Sequence, residues 1–125
     1  MIQNNLNIKD VASIGEEIGL DLGIQFIKSH QSEIGQSHSY LIGKDILLRI
    51  LSQPNCKGIK IYDAKDESGS TTLVFVGVDS NAKPIIEYSV ISSNGELKEE
   101  TGIVADRIYK PKSTSLEEDW GWGID

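Results

Sequence analysis

Residues 43–79 read GKDILLRILSQPNCKGIKIYDAKDESGSTTLVFVGVD, the densest apolar patterning in the chain. Ile46, Leu47, Ile50 and Leu51 recur at i, i+1, i+4 and i+5, which predicts an amphipathic helix starting near Gly43 or Lys44. Lys44, Asp45, Arg49, Ser52 and Gln53 take its polar side, and Leu48 falls off the apolar face, a hint of a second covered surface. Pro54 stops the helix, because it lacks an N–H and biases Gln53 away from helical angles. Asn55 to Gly58 makes a turn. Ile59 and Ile61 then alternate with Lys60 and Tyr62, as a half-buried strand does. Asp63 to Ser70 is a polar loop centred on Glu67-Ser68-Gly69, a hairpin signal. Leu73 to Val78 is a continuous β-branched and aromatic run, which predicts a central strand covered on both faces. Gly77 inside it marks a bulge or a close backbone approach.

Beyond Asp79 the turn Ser80-Asn81-Ala82 leads to Pro84, which places the next residues at a strand edge or start. Ile85 to Ser92 reads as a third strand, ended by Ser93-Asn94-Gly95. Short connections between the three make an antiparallel meander the economical topology. Glu96 to Tyr109 fits either a short helix or a last strand, and Gly102 argues against one continuous element. The tail, Ser113 to Asp125, holds Glu117, Glu118, Asp119 and Asp125, no basic residue, and both tryptophans, Trp120 and Trp122.

Towards the N-terminus, a helix is expected from about Ile8 to Ser29, with Asn7 as N-cap and Asp10 near its positive end. Ser13 with Glu16 forms a competing capping box that would start it later. Val11, Ile14, Ile18, Leu22 and Phe26 share one stripe, with Leu20, Ile24 and Ile27 roughly opposite. A helix apolar on two sides is sandwiched within its domain or covered by a partner. Gly15, Gly19 and Gly23 recur every fourth residue, each costing about 1 kcal/mol in a helix interior. Either they permit close backbone packing or the helix breaks near Gly19. Residues 30–39 lack periodicity and read as a loop.

At 125 residues the chain is expected to be one domain over 1–112, followed by the tail 113–125. That size buries enough surface to fold without disulfides or a structural metal. One cysteine, Cys56, permits no internal disulfide. No signal peptide and no membrane-length apolar run is seen, so the expected setting is soluble and cytoplasmic. A net charge of −7, without a basic stripe, disfavours nucleic acid.

The chemistry-bearing residues have ordinary alternatives. His30 and His38, with Glu33 between them, lack zinc-site spacing and read as solvated loop residues. Cys56 follows a helix C-terminus, where the dipole does not favour a thiolate, and reads as a small packing residue rather than a nucleophile. Asp63, Asp66, Glu67 and Asp79 lie at strand ends and offer oxygen ligands for a hard cation, but DAKDESG is not EF-hand spacing. Carboxylates at turns also hydrogen-bond the nearby backbone. GVDSNAK lacks the phosphate-loop pattern. No cofactor is expected.

The helix ending in Gln53-Pro54, the turn Cys56-Lys57-Gly58, the strand Ile59-Lys60-Ile61-Tyr62 and the run Val76-Gly77-Val78-Asp79 resemble a pattern found in a group of small uncharacterised bacterial proteins. The resemblance covers about 37 of the 125 residues. It implies no activity, cofactor or partner.

Together these patterns predict an α+β fold: two N-terminal helices packed on a three- to four-stranded, mostly antiparallel sheet. The expected function is non-enzymatic, a protein-interaction or accessory module acting as a homo-oligomer or subunit. Leu20, Ile24, Ile27, Trp120 and Trp122 are its candidate partner-binding residues, tryptophan being enriched at interface hot spots. The tail instead folds back on its own domain if each Trp covers local apolar surface. The alternative function is a small-ligand or divalent-cation domain built on Asp63, Asp66 and Asp79.

Overall fold

The computed structural model describes residues 10–34 and 39–110. In chain order the elements are a 3-10 turn at Val11–Ser13, α1 (Leu20–Ile34), α2 (Lys44–Leu51), β1 (Gly58–Lys65), β2 (Thr71–Val78), β3 (Glu87–Ile91), β4 (Leu97–Thr101) and β5 (Val104–Ala105). They make an α+β fold with two antiparallel sheets, ordered β1-β2-β5 and β3-β4. The chain divides into two compact units: Met1–Ile14 with Ile42–Ile108, and Gly15–Leu41 with Tyr109–Asp125.

The first unit is built on the stretch 43–79. α2 is eight residues long, too short to persist on local hydrogen bonds alone. It is held by packing: Ile50 is 0% exposed and joins Phe75 of β2 and Ala105 of β5 in the core. Ile46, Leu47, Ile59 and Leu73 pack around that cluster. Asp45 in the first turn and Arg49 in the last complement the helix dipole. After the helix, Asn55 turns the chain with a φ of +64°, a conformation that asparagine tolerates better than most residues.

β1 and β2 pair over their full lengths, from Gly58 opposite Val78 to Lys65 opposite Thr71. The hairpin turn is tighter than the polar loop predicted, and Asp66 organises it. Its Oδ1 accepts from Ser68 N at 2.9 Å, Ser68 Oγ at 2.7 Å and Ser70 N at 3.0 Å. β2 is the central strand, as its composition predicts, with Phe75 opposite Ala105 and Val76 opposite Val104 on the other side.

Gly77 is where helix and sheet meet. A Cβ there would stand 2.8 Å from Cys56 Sγ, 2.9 Å from Gln53 Nε2 and 3.1 Å from Ile50 Cγ2. This glycine therefore serves a close approach rather than a bulge. Gly58 serves the opposite face of the hairpin, where a Cβ would lie 3.4 Å from Val11 Cγ1 of the 3-10 turn.

The meander does not form. Only the bridge Val78–Pro84 and the bond from Ile85 N to Gly77 O (2.8 Å) continue from β2 on that side. The chain then leaves the sheet, and β3 pairs with β4 from Glu87–Thr101 to Ile91–Leu97. β5 returns to take the place beside β2. The departure goes with the arrival of β5, which takes the positions opposite Phe75 and Val76 that this ladder would use next. Gly102 permits the return: a Cβ on it would fall 1.8 Å from the carbonyl oxygen of Ile85. Its own N–H donates to Ile86 O at 2.8 Å. The ambiguous stretch 96–109 is therefore two short strands separated by that glycine.

The N-terminal helix is also corrected. Asp10 caps the 3-10 turn, with Ala12 N donating to Oδ1 at 3.2 Å. Ser13 Oγ donates to Asp10 O rather than forming a capping box. Gly15 (φ +118°) and Gly19 (φ +84°) sit in conformations that only glycine adopts readily, so the helix begins after them, at Leu20. It runs on to Ile34, past the predicted end at Ser29, and takes His30 into a helix. The proposed cap Asn7 lies outside the described residues. In this second unit Ile24 is only 5% exposed and Ile27 half-buried, while Leu20, Leu22 and Phe26 are exposed. Leu41 and Tyr109 exchange backbone hydrogen bonds at 2.7 and 2.9 Å.

Candidate functional site

The C-terminal end of α2, the start of β3 and the turn after β2 enclose two adjoining clefts that share Pro54 and Tyr88. The larger, about 450 Å³, takes in Asn55, Asp79, Ile85 and Glu87. The smaller, about 280 Å³, takes in Arg49, Ser52, Gln53 and Ile103.

Gln53 holds this region together. Its side chain is buried, Nε2 donating to Ile50 O at 3.0 Å and Oε1 accepting from Ile103 N at 2.8 Å. Its backbone carbonyl accepts from Cys56 N at 3.1 Å. The amide thus ties the end of α2 to the segment between β4 and β5. Pro54 forces the chain out of the helix immediately after it, which leaves the amide free to reach across.

Asp79 caps the turn on the other side. Its Oδ1 accepts from Asn81 N at 2.8 Å and Lys83 N at 3.1 Å. Those backbone donors, Lys83 first and then Asn81, hold its carboxyl below the usual aspartate range. Asp79 is therefore a turn-forming anion whose favoured state is charged. The clefts present Asp79 and Glu87 at one end, Arg49 at the other, and the half-buried Tyr88 between.

The three candidate cation ligands are not brought together. Asp66 closes one end of the β1–β2 hairpin and Asp79 lies just past the other end of β2. Eight strand residues at about 3.3 Å each put roughly 26 Å of chain between those ends. Asp63 pairs with Leu73 part-way along, inside β1 rather than at its end. Among the described residues, no three His, Cys, Asp or Glu side chains are grouped to hold a metal ion. Asp66 and Asp79 do flank strand β2, but an antiparallel hairpin keeps the two ends of a strand apart.

Cys56 is half-buried, and its Sγ donates to Gly58 O at 3.3 Å, the behaviour of a turn residue. His30 belongs to the other compact unit, and His38, Trp120 and Trp122 lie outside the described residues. Of the proposed partner-facing residues on α1, Leu20 is exposed, Ile27 is half-buried and Ile24 is buried, so Ile24 presents no contact surface. Leu48, read as a hint of a second covered surface, is exposed.

Sequence patterning missed the surface apolar pair. Ile91 and Leu97 stand directly opposite each other at the tip of the β3–β4 hairpin, 73% and 77% exposed. The Ser89–Glu99 pair on the same hairpin is polar and hydrogen-bonded. The apolar residues are legible in the sequence, but their pairing is not, because it depends on β3 and β4 forming a sheet of their own. On the other side of the unit, Glu67 and Arg107 make a two-pronged ion pair at 2.7 and 3.1 Å. The guanidinium holds the Glu67 carboxyl below its usual range.

These features define an α+β chain with a polar groove, no group of three metal-ligating side chains among the described residues, and large apolar side chains on its outer strands. Comparison with protein-family models, curated proteins and solved structures finds no match. No helix among the described residues is long and apolar enough to cross a membrane.

Proposed function

We propose that this chain is a protein-interaction module, acting as a homo-oligomer or as a subunit of a larger assembly. The observation that carries it is the Ile91–Leu97 pair, two large aliphatic side chains directly opposed at the hairpin tip and more than 70% exposed. An isolated two-stranded hairpin is marginal in water, and this one is joined to the core sheet through the bond from Ile85 N to Gly77 O on one arm and the two-residue strand β5 on the other. Apolar surface on such an element is stabilised by being covered. Exposed Leu48, Leu20 and Phe26 add to the same supply of coverable surface.

The acidic tail with Trp120 and Trp122 belongs to this proposal as a second contact element, since aromatic anchors concentrate binding energy. A cytoplasmic setting fits the single free Cys56. The resemblance to small bacterial proteins fits a chain of this size.

The test is light scattering coupled to size exclusion, with pull-down from a bacterial lysate as a second arm. The double substitution Ile91→Ser, Leu97→Ser is expected to lower the assembly mass or abolish capture while leaving the circular dichroism of the fold intact. A strictly monomeric chain that captures nothing, with or without the substitutions, overturns the proposal.

A further inference from the structure

The outer edge of β1 is a second feature of the first unit. Among the described residues β1 pairs with β2 alone, and it is eight residues long. Its two central residues are apolar and exposed on opposite faces, Ile61 at 55% and Tyr62 at 44%.

The ladder sets the direction of its backbone groups. Ile85 N donates to Gly77 O, and Phe75 pairs with Ala105, so Gly77 and Phe75 point away from β1. In an antiparallel ladder the direction alternates, which turns Val74 and Val76 towards β1. Their partners Tyr62 and Lys60 use their groups inwards. Ile59, Ile61 and Asp63 therefore direct their N–H and C=O groups outwards, as the template for one more strand.

We infer that this edge pairs with β1 of a second copy of the chain, antiparallel about a two-fold axis at Ile61, joining two three-stranded sheets into one of six strands. This rests on the interaction-module proposal and names the partner. A two-fold axis perpendicular to the sheet keeps each residue on its own face, so residues of equal parity pair. With the axis at Ile61, Ile61 exchanges both hydrogen bonds with Ile61 of the second copy, and Ile59 does so with Asp63. Lys60 falls opposite Tyr62 of the second copy on the other face. That contact is one the strand already makes within itself: Lys60 Nζ lies 5.9 Å from the centroid of its own Tyr62 ring. Centring on Asp63 instead would oppose two carboxylates, which disfavours that register. The lysines on the edge guard it against promiscuous strands, while Tyr62 gives Lys60 a partner in the matched register.

The experiment uses the full chain. Wild-type protein is expected to show a dimer mass by light scattering. Ile61→Cys in a Cys56→Ala background is expected to form a disulfide-linked dimer under mild oxidation. Directly opposed residues in a hydrogen-bonded pair have Cα atoms about 5.5 Å apart, within disulfide reach. Ser93→Cys in the same background, in the hairpin turn, is the control and is expected not to cross-link. Ile61→Pro removes an outward N–H that β2 does not use. It is expected to weaken dimerisation roughly thirtyfold, two hydrogen bonds per dimer being lost. Ile61→Lys is the second variant should proline perturb the strand.

A dimer insensitive to both substitutions, or one that fails to cross-link through position 61, overturns the inference while the interaction-module proposal survives. A chain that is monomeric until residues 113–125 are deleted also overturns it, because its own tail then occupies the edge. A chain that is monomeric throughout and captures nothing fails both.

Discussion

Gln53 and Ile103, fifty residues apart in sequence, are joined by a hydrogen bond of 2.8 Å from the Ile103 N–H to the buried Gln53 Oε1. Through it the end of α2 is fastened to the strand return that makes β5 possible. Gln53→Ala leaves that N–H without its acceptor and is expected to cost about 1–3 kcal/mol in urea unfolding. Gln53→Glu keeps the acceptor but turns a carboxylate oxygen towards Ile50 O in a buried site, so at neutral pH it is expected to cost at least as much as alanine.

Two glycines are predicted to be irreplaceable for reasons of space. Gly77→Ala pushes a methyl against Cys56 Sγ and Gln53 Nε2, and is expected to destabilise by about 1–3 kcal/mol. Because the nearest atom is a side-chain sulfur, Cys56→Ala in the same chain should recover part of the loss in a double-mutant cycle. Gly102→Ala meets a backbone carbonyl instead, so no side-chain substitution rescues it. The β3–β4 hairpin should then lose amide-exchange protection before α2 does.

The glycines of the second unit divide the other way. Gly19 has a φ of +84° with open space around it, so Gly19→Ala is strained by about 1–2 kcal/mol without any clash. Gly23 lies inside α1, and its nearest neighbour to an added Cβ is Ile18 Cδ1 at 3.9 Å, an ordinary contact. Gly23→Ala is therefore expected to stabilise α1 by about 0.5–1 kcal/mol. Thermal melts of the two variants should move in opposite directions.

Acid should loosen the first unit through Asp79 and Glu67. Both carboxyls are held below their usual values, Asp79 by backbone donors from Lys83 and Asn81, Glu67 by Arg107. A group with a depressed folded value contributes stability that is complete above its unfolded pKa. That contribution is lost as pH falls through the folded one. The loss should fall below about pH 4 and be absent at neutral pH. Asp79→Asn retains an oxygen acceptor for the two N–H groups. It should flatten the acid limb of a stability-versus-pH curve without removing the turn. Glu67→Gln should remove most of the salt sensitivity of the same limb, since that ion pair is exposed.

Local patterns announce the elements of the first unit. The spacing of Ile46, Leu47 and Ile50 with Pro54 beyond it marks α2, and LVFVGV marks the central strand. These succeed because periodicity and proline act over a few residues, within the chain's own reach. The N-terminal helix is misplaced by the same reasoning because Val11, Ile14 and Ile18 keep a helical spacing across two glycines whose φ angles are positive. Hydrophobic periodicity does not register φ. The groove around Tyr88 is illegible in the sequence because its walls come from three separated segments.

By itself, the sequence determined the class of the fold, the β1–β2 hairpin and the burial of Ile50 and Phe75, since each comes from local spacing and side-chain chemistry. Tertiary structure alone decided that β3 leaves the sheet and β5 takes its place. That choice depends on Gly102 admitting the Ile85 carbonyl. It also depends on Gln53 meeting Ile103 across fifty residues of chain. Contacts of that range leave no period in the sequence. The same is true of the open edge of β1, which exists only because its one neighbour among the described residues is β2.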